Sequence, residues 1–118
     1  MITGTVTTDG VPIISIMIAG SPYSAVIDTG FNGDLELPQK LRNQLRPKFI
    51  CRAESHLAGG ITIDEELFLL DFPFDGRSVR AHATFVDGDD ILIGTNLIRG
   101  YRLSINFVAR KVRLQHLD

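Results

Sequence analysis

Residues 25–33 read AVIDTGFNG, and this stretch decides how the chain is interpreted. It opens with three apolar residues, as a buried strand does, and the residues after the aspartate are rich in turn formers. Asp28 therefore stands where a strand breaks into a loop, and Thr29 and Gly30 follow it. The tripeptide alone is weak evidence for chemistry, because a loop aspartate usually only bonds its own backbone.

The composition is that of an ordinary globular protein. The chain has 118 residues, which is the size of one domain, so we expect residues 1–118 to form a single domain. A hydrophobic fraction of 44% and a net charge of -2 imply neither nucleic acid nor an anionic membrane as a partner. The basic cluster near the C-terminus predicts a solvated strand face; its members are Arg99, Arg102, Arg110, Lys111 and Arg113.

The cysteine content and the apolar runs bear on location. Cys51 is the only cysteine, which excludes an internal disulfide and a multi-cysteine zinc site within one subunit. The start of the sequence lacks a basic segment followed by an apolar one, and no apolar run approaches the about 20 residues of a membrane-spanning helix. We therefore expect a cytoplasmic protein that is neither secreted nor embedded in a membrane.

No metal or other cofactor is predicted. The three histidines, His56, His82 and His116, are spaced in a way that matches no metal-binding motif. Residues 87–90 read DGDD, but the glycine and glutamate positions of a calcium-binding loop are missing, so this segment predicts a solvated turn.

Short stretches rich in Val, Ile, Thr and Phe, separated by Asp-Gly, Asn-Gly and Gly-Gly pairs, predict a mostly β protein. The expected strands cover residues 2–8, 11–19, 23–27, 35–37, 49–57, 61–74, 78–86, 91–93, 103–107 and 112–115. One short amphipathic helix is expected at residues 39–45, with Pro38 in its first turn. A single helical turn is also expected from Thr95 to Arg99.

A second segment gives the first one a context. Residues 91–98 read ILIGTNLI. A hydrophobic pair precedes Gly94, a short helical candidate follows it, and the expected strand at 103–107 comes next. In this order, together with the Asp28 loop, the chain resembles the retropepsin-like aspartic proteases, above all their bacterial single-domain members. The resemblance covers nearly the whole chain. It implies an all-β, closed-barrel-like fold with one short helix.

The resemblance also implies roles for individual residues. Asp28 would be the catalytic acid and base, Thr29 would hydrogen-bond across a two-fold axis, and Gly30 would let the backbone come close. The tip Ala58-Gly59-Gly60 would form a flap that closes over the substrate, Gly94 would pack under Asp28, and Phe31 would border the substrate.

Hydrolysis by this route needs two carboxylates about 3 Å apart that share one proton. The chain contains one Asp-Thr-Gly, so the second carboxylate must come from an identical subunit related by a two-fold axis. The expected protein is thus a homodimeric endopeptidase that acts on a peptide or protein substrate and uses no cofactor.

Two features depart from the viral pattern. Phe31 occupies a position that viral members usually fill with a small residue, and the expected flap tip carries fewer glycines than a typical viral flap. One alternative is a non-catalytic dimeric module that has the same fold and binds peptides or regulates a partner. Another is a β-sheet module that captures an extended peptide with an exposed edge.

Overall fold

The computed structural model describes residues 1–56 and 58–118 of the chain. It contains ten strands, a 3₁₀ turn at Gln39–Leu41 and a one-turn helix, α1, at Arg42–Leu45. The strands are β1 Ile2–Val6, β2 Pro12–Ile18, β3 Ser21–Ile27, β4 Leu35–Pro38, β5 Lys48–His56, β6 Thr62–Phe74, β7 Arg77–Val86, β8 Ile91–Ile93, β9 Tyr101–Asn106 and β10 Lys111–His116. The expected all-β fold with one short helical segment is confirmed.

All ten strands belong to one hydrogen-bonded sheet with the order β5-β6-β7-β4-β8-β3-β2-β1-β10-β9. Within the described ranges, β5 and β9 end this order and do not pair with each other, so the sheet is not closed into a barrel. β6 nevertheless packs across β2, which is not its neighbour in the sheet. The sheet therefore folds over itself and encloses a core without closing its edges.

The core is formed by side chains that alternate along the strands. Ile14, Ile16 and Ile18 of β2 are buried, whereas Ser15 and Met17 between them are exposed. Val112 and Leu114 repeat the pattern at the other end of the sheet. Each such aliphatic side chain contributes about 1.5–3 kcal/mol when it is fully buried.

Three local predictions differ from the structure. Pro38 ends β4 with a ψ of 138°, so it precedes the 3₁₀ turn and does not lie inside a helix. β3 begins at Ser21 and includes Pro22, two residues before the strand expected at 23–27, because Ala19 and Gly20 adopt positive φ angles and complete the turn. Residues 95–100 form turns and no helix. Leu57, the expected end of an extended stretch, lies outside the described residues.

Parallel pairing of β3 with β8 positions the loop that follows β3. Ile27 lies opposite Ile93 in this pair, so Asp28 and Gly94 leave the sheet side by side. β4 then returns antiparallel to β8, with Leu35 opposite Ile93. Residues 28–34 consequently form a loop around the end of β8. No helix in the described part of the chain is long and apolar enough to cross a membrane.

Candidate active site

The loop at residues 28–34 holds the carboxylate of Asp28 in one orientation. The Asp28 N–H donates to the carbonyl oxygen of Ile93 at 2.9 Å, which fixes the start of the loop on β8. The N–H of Gly30 donates to Asp28 Oδ1 at 2.9 Å. The N–H of Phe31 donates to the carbonyl oxygen of Asp28 at 3.1 Å and closes the turn. The Asp28 side chain is half-buried, so it is held by its loop and still reaches solvent.

The same loop is bound to the segment that follows β8. The N–H groups of Gly94, Thr95 and Asn96 donate to the carbonyl oxygens of residues 34, 31 and 33 at 3.0, 2.8 and 3.1 Å. A Cβ atom at Gly94 would collide with the carbonyl oxygen of Gly33 and lie 2.8 Å from Phe31 Cδ2. Gly94 is needed here because two stretches of backbone approach more closely than a side chain allows.

Phe31 packs inside its own loop. Its ring lies over Gly33, where a Cβ atom would come within 2.7 Å of Phe31 Cζ, and it also borders Gly94. The residue is half-buried and forms part of the wall of the adjoining cavity. Phe31 is therefore both a packing element of the loop and a surface that a ligand in the cavity would meet.

Asp34 has the most constrained carboxylate of the site, with 8% of the residue exposed. Its Oδ2 accepts a hydrogen bond from the backbone N–H of His82 at 2.9 Å, and its Oδ1 accepts one from Asn96 Nδ2 at 2.7 Å. His82 Nδ1 lies 3.8 Å from the same Oδ2. None of these three residues is among the site residues that the sequence predicts. The available signal was a polar Asn96 inside the apolar run 91–98.

The loop opens on a cavity of about 480 Å³. The loop lines it with Asp28, Gly30 and Phe31. The strands contribute Glu36 from β4, His56 from β5, Glu65 and Leu67 from β6, His82 and Thr84 from β7, and Leu92 from β8. Burial, followed by the negative charges of Glu65 and Asp28, raises the pKa of Glu36 above that of an ordinary glutamate. The cavity is therefore acidic, and one of its carboxyl groups retains its proton to a higher pH than usual.

Some predicted site residues lie outside this cavity. Thr29 is exposed on the loop, Gly94 lies behind the loop, and the tip at Ala58–Gly60 is exposed at the end of the β5–β6 hairpin. Gly59 and Gly60 have φ angles of 84° and 77°, which a glycine adopts without strain. The hairpin still reaches the cavity, because His56 and Glu65 near this end line its wall.

One chain supplies one carboxylate of the Asp-Thr-Gly type to the cavity. The other aspartate on its wall is Asp34, whose two oxygens both accept hydrogen bonds from the protein. Among the described residues, no three His, Cys, Asp or Glu side chains are grouped so as to hold a metal ion. The arrangement thus places the carboxylate of Asp28, oriented by the Gly30 N–H, beside a cavity of about 480 Å³.

Comparison with known proteins identifies the fold. No family model and no curated protein matches the sequence. Among solved structures, a retropepsin-like aspartic protease from Rickettsia conorii is similar with a TM-score of 0.68 and 16% identity, over 96% of this chain and 88% of that one.

Two viral structures are similar as well. The simian foamy virus protease has a TM-score of 0.58 and 20% identity, over 74% of this chain and 91% of that one. The protease of EIAV, solved in complex with the inhibitor HBY-793, has a TM-score of 0.60 and 16% identity, over 80% of this chain and 91% of that one. The chain therefore has a retropepsin-like fold.

Proposed function

We propose that a chain with this retropepsin-like fold is one subunit of a homodimeric aspartic endopeptidase, in which Asp28 of each subunit supplies one catalytic carboxylate. The observation that carries the proposal is the half-buried carboxylate of Asp28, held through Oδ1 by the Gly30 N–H at the base of an open cavity. This hydrogen bond is an ordinary turn contact of an aspartate with its own backbone. The placement of the carboxylate beside the cavity, in a chain with a retropepsin-like fold, is what supports a catalytic role.

The chemistry requires two such carboxylates. With one proton shared between them, one takes a proton from a water molecule, and the water oxygen attacks the scissile carbonyl carbon. The other carboxyl group gives its proton to the carbonyl oxygen, and the leaving amine is protonated as the C–N bond breaks. Asp34 is unsuited to be the second group, because both of its oxygens are engaged by the protein. Glu36 and Glu65 also line the cavity. The assignment of the second carboxylate to Asp28 of another copy therefore rests on the single Asp-Thr-Gly of the chain and on its retropepsin-like fold.

The remaining roles follow from position. Thr29 is exposed at the tip of the loop, where it would hydrogen-bond to the loop of the partner copy. Gly30 orients Asp28, and Phe31 would contact the substrate. Gly94 supports the loop from behind. The hairpin tip at Ala58–Gly60 would close over a bound peptide and exclude water.

The substrate is a peptide or protein in extended conformation, and no cofactor takes part. Cys51 is exposed and has no partner cysteine in the chain, which is consistent with a reducing cytoplasmic compartment.

The decisive experiment compares cleavage of an unbiased peptide library by the wild type, Asp28→Asn and Asp9→Asn. Asp9 is an exposed aspartate in the β1–β2 turn, where asparagine is equally well accommodated, so this variant is the matched control. We expect cleavage by the wild type and Asp9→Asn and none by Asp28→Asn. Sedimentation at the assay concentration should show a dimer.

Cleavage by Asp28→Asn, or full activity of a monomer, would contradict the proposal. A wild type that binds peptides without cleaving them would instead support the non-catalytic module. A pepstatin-like inhibitor separates the two functions independently, because its hydroxyl group imitates the transition state and needs a functional carboxylate pair.

A further inference from the structure

We infer that Asp34 is a positioning residue of the active site: its carboxylate connects the loop that carries Asp28 to β7 and to the segment after β8, and so fixes Asp28 relative to the cavity wall. The inference rests on the proposed function and concerns how the same site is held in a working geometry. Both carboxylate oxygens of Asp34 are engaged by the protein, so its contribution to the site would pass through the loop.

The backbone anchors of the loop act on one side only. Hydrogen bonds from residues 94–96 tie it to the segment after β8. None of these bonds reaches β7, whose residues His82 and Thr84 also line the cavity. The side chain of Asp34 makes this connection through the N–H of His82.

The connection lies where the backbone pairing stops. β4 and β7 pair in parallel, starting with Leu35 opposite Ala83. Asp34 and His82 each precede that pair by one residue. The carboxylate of Asp34 accepts the hydrogen bond of the His82 N–H and so adds one hydrogen bond beyond the end of the strand pairing. Its other oxygen accepts a hydrogen bond from the Asn96 amide at 2.7 Å, the short end of the N–H···O range. A buried carboxylate with both oxygens hydrogen-bonded resists displacement, because an oxygen that loses its partner stays buried without the hydrogen bond that water would otherwise supply.

The geometry allows a reciprocal exchange of the two side chains. In Asp34→Asn, the His82 N–H and the Asn96 side-chain amide both remain donors, but the new amide has only one acceptor oxygen. One of the two hydrogen bonds is therefore lost, and an N–H group of the new amide faces another N–H group. In Asn96→Asp, two carboxylates face each other. In the double variant, the oxygen of the amide at position 34 accepts from the His82 N–H, and its NH₂ group donates to the carboxylate at position 96. Composition and net charge equal those of the wild type.

The test measures kcat and KM per active site, counted by titration with a tight inhibitor, for both single variants and the double variant. A misplaced catalytic group lowers kcat by about ten- to a hundredfold, so we expect losses of this size in each single variant, with a smaller change in KM. The double variant should recover most of the lost kcat. The matched control is Asp71→Asn, which breaks the exposed pair with Arg80 on β7 and should leave kcat unchanged.

Amide hydrogen exchange at Gly94, Thr95 and Asn96 in the wild type, both single variants and the double variant provides a readout that does not depend on activity. Faster exchange in the single variants and recovery in the double variant support the inference even if the wild type cleaves no peptide, an outcome that would contradict only the proposed function. Unchanged kcat per active site in Asp34→Asn would overturn the inference. The inference would also be overturned if the double variant had a kcat no higher, or an amide exchange no slower, than the worse of the two single variants.

Discussion

The N–H of Gly30 donates to Oδ1 of Asp28 at 2.9 Å, so the loop that carries the carboxylate also orients it. A Cβ atom at Gly30 would lie 3.3 Å from the same oxygen, which is a tight contact. The orientation of Asp28 is therefore sensitive to one methyl group.

Gly30→Ala tests this sensitivity. The added methyl group should push Asp28 Oδ1 by a few tenths of an ångström and lower kcat about tenfold, with little change in the free energy of unfolding. Steady-state kinetics and urea denaturation give the two values. A large loss of unfolding free energy together with the loss of kcat would show that the loop is disrupted as a whole and that the carboxylate is not merely misaligned.

Gly94→Ala should act on stability. The new Cβ atom would collide with the carbonyl oxygen of Gly33, and overpacking of this kind costs about 1–3 kcal/mol of unfolding free energy. Gly100→Ala is the control, because its Cβ atom would meet only the His116 ring at an ordinary 3.4 Å. Urea denaturation of both variants measures the difference, and similar midpoints would show that the Gly94 contact relaxes without cost.

Phe31→Ser should move the acid limb of the activity profile to lower pH. A hydroxyl group at this position would be able to donate to a catalytic carboxylate and favour its charged form, whereas a phenyl ring cannot donate. The variant should also lose stability, because the ring packs over Gly33 and Gly94. Rate profiles from pH 3 to pH 8, together with denaturation curves, separate the two effects. An unmoved acid limb would show that Phe31 does not control the titration.

Glu36 should make the preference for basic substrates depend on pH. Burial and the charges of Glu65 and Asp28 raise the pKa of Glu36, so its negative charge appears at a higher pH than that of an ordinary glutamate. As the pH rises through this pKa, a lysine-containing peptide should gain in kcat/KM over its glutamine analogue. Glu36→Gln should remove the pH-dependent part of this gain. A pH-dependent preference that persists in the variant would assign it to another group.

Strand positions are largely predictable from the sequence, because burial on one face gives an alternating pattern. In β7, Ala81 and Ala83 are buried while their neighbours Arg80 and His82 are exposed, as the alternation indicates. The Asp28 loop is equally visible, since a strand followed by turn formers leaves few alternatives. Both are local properties of the chain.

The connections made by Asp34 are not predictable in this way. Its partners lie 48 and 62 residues further along the chain, and they become neighbours only through the pairing of β4 with β7 and with β8. The missing helical turn at residues 95–99 has a related cause. Thr95 and Asn96 use their polar groups to bind the Asp28 loop, and such tertiary hydrogen bonds override a weak local preference.

The pairing of β3 with β8 has a consequence for the order of events during synthesis. Asp28 is made early, but the groups that hold its loop belong to residues 93–96, and long-range parallel pairing forms slowly. A nascent chain that ends before residue 93 carries the aspartate without its support. The loop therefore reaches its supported geometry only after most of the chain has left the ribosome.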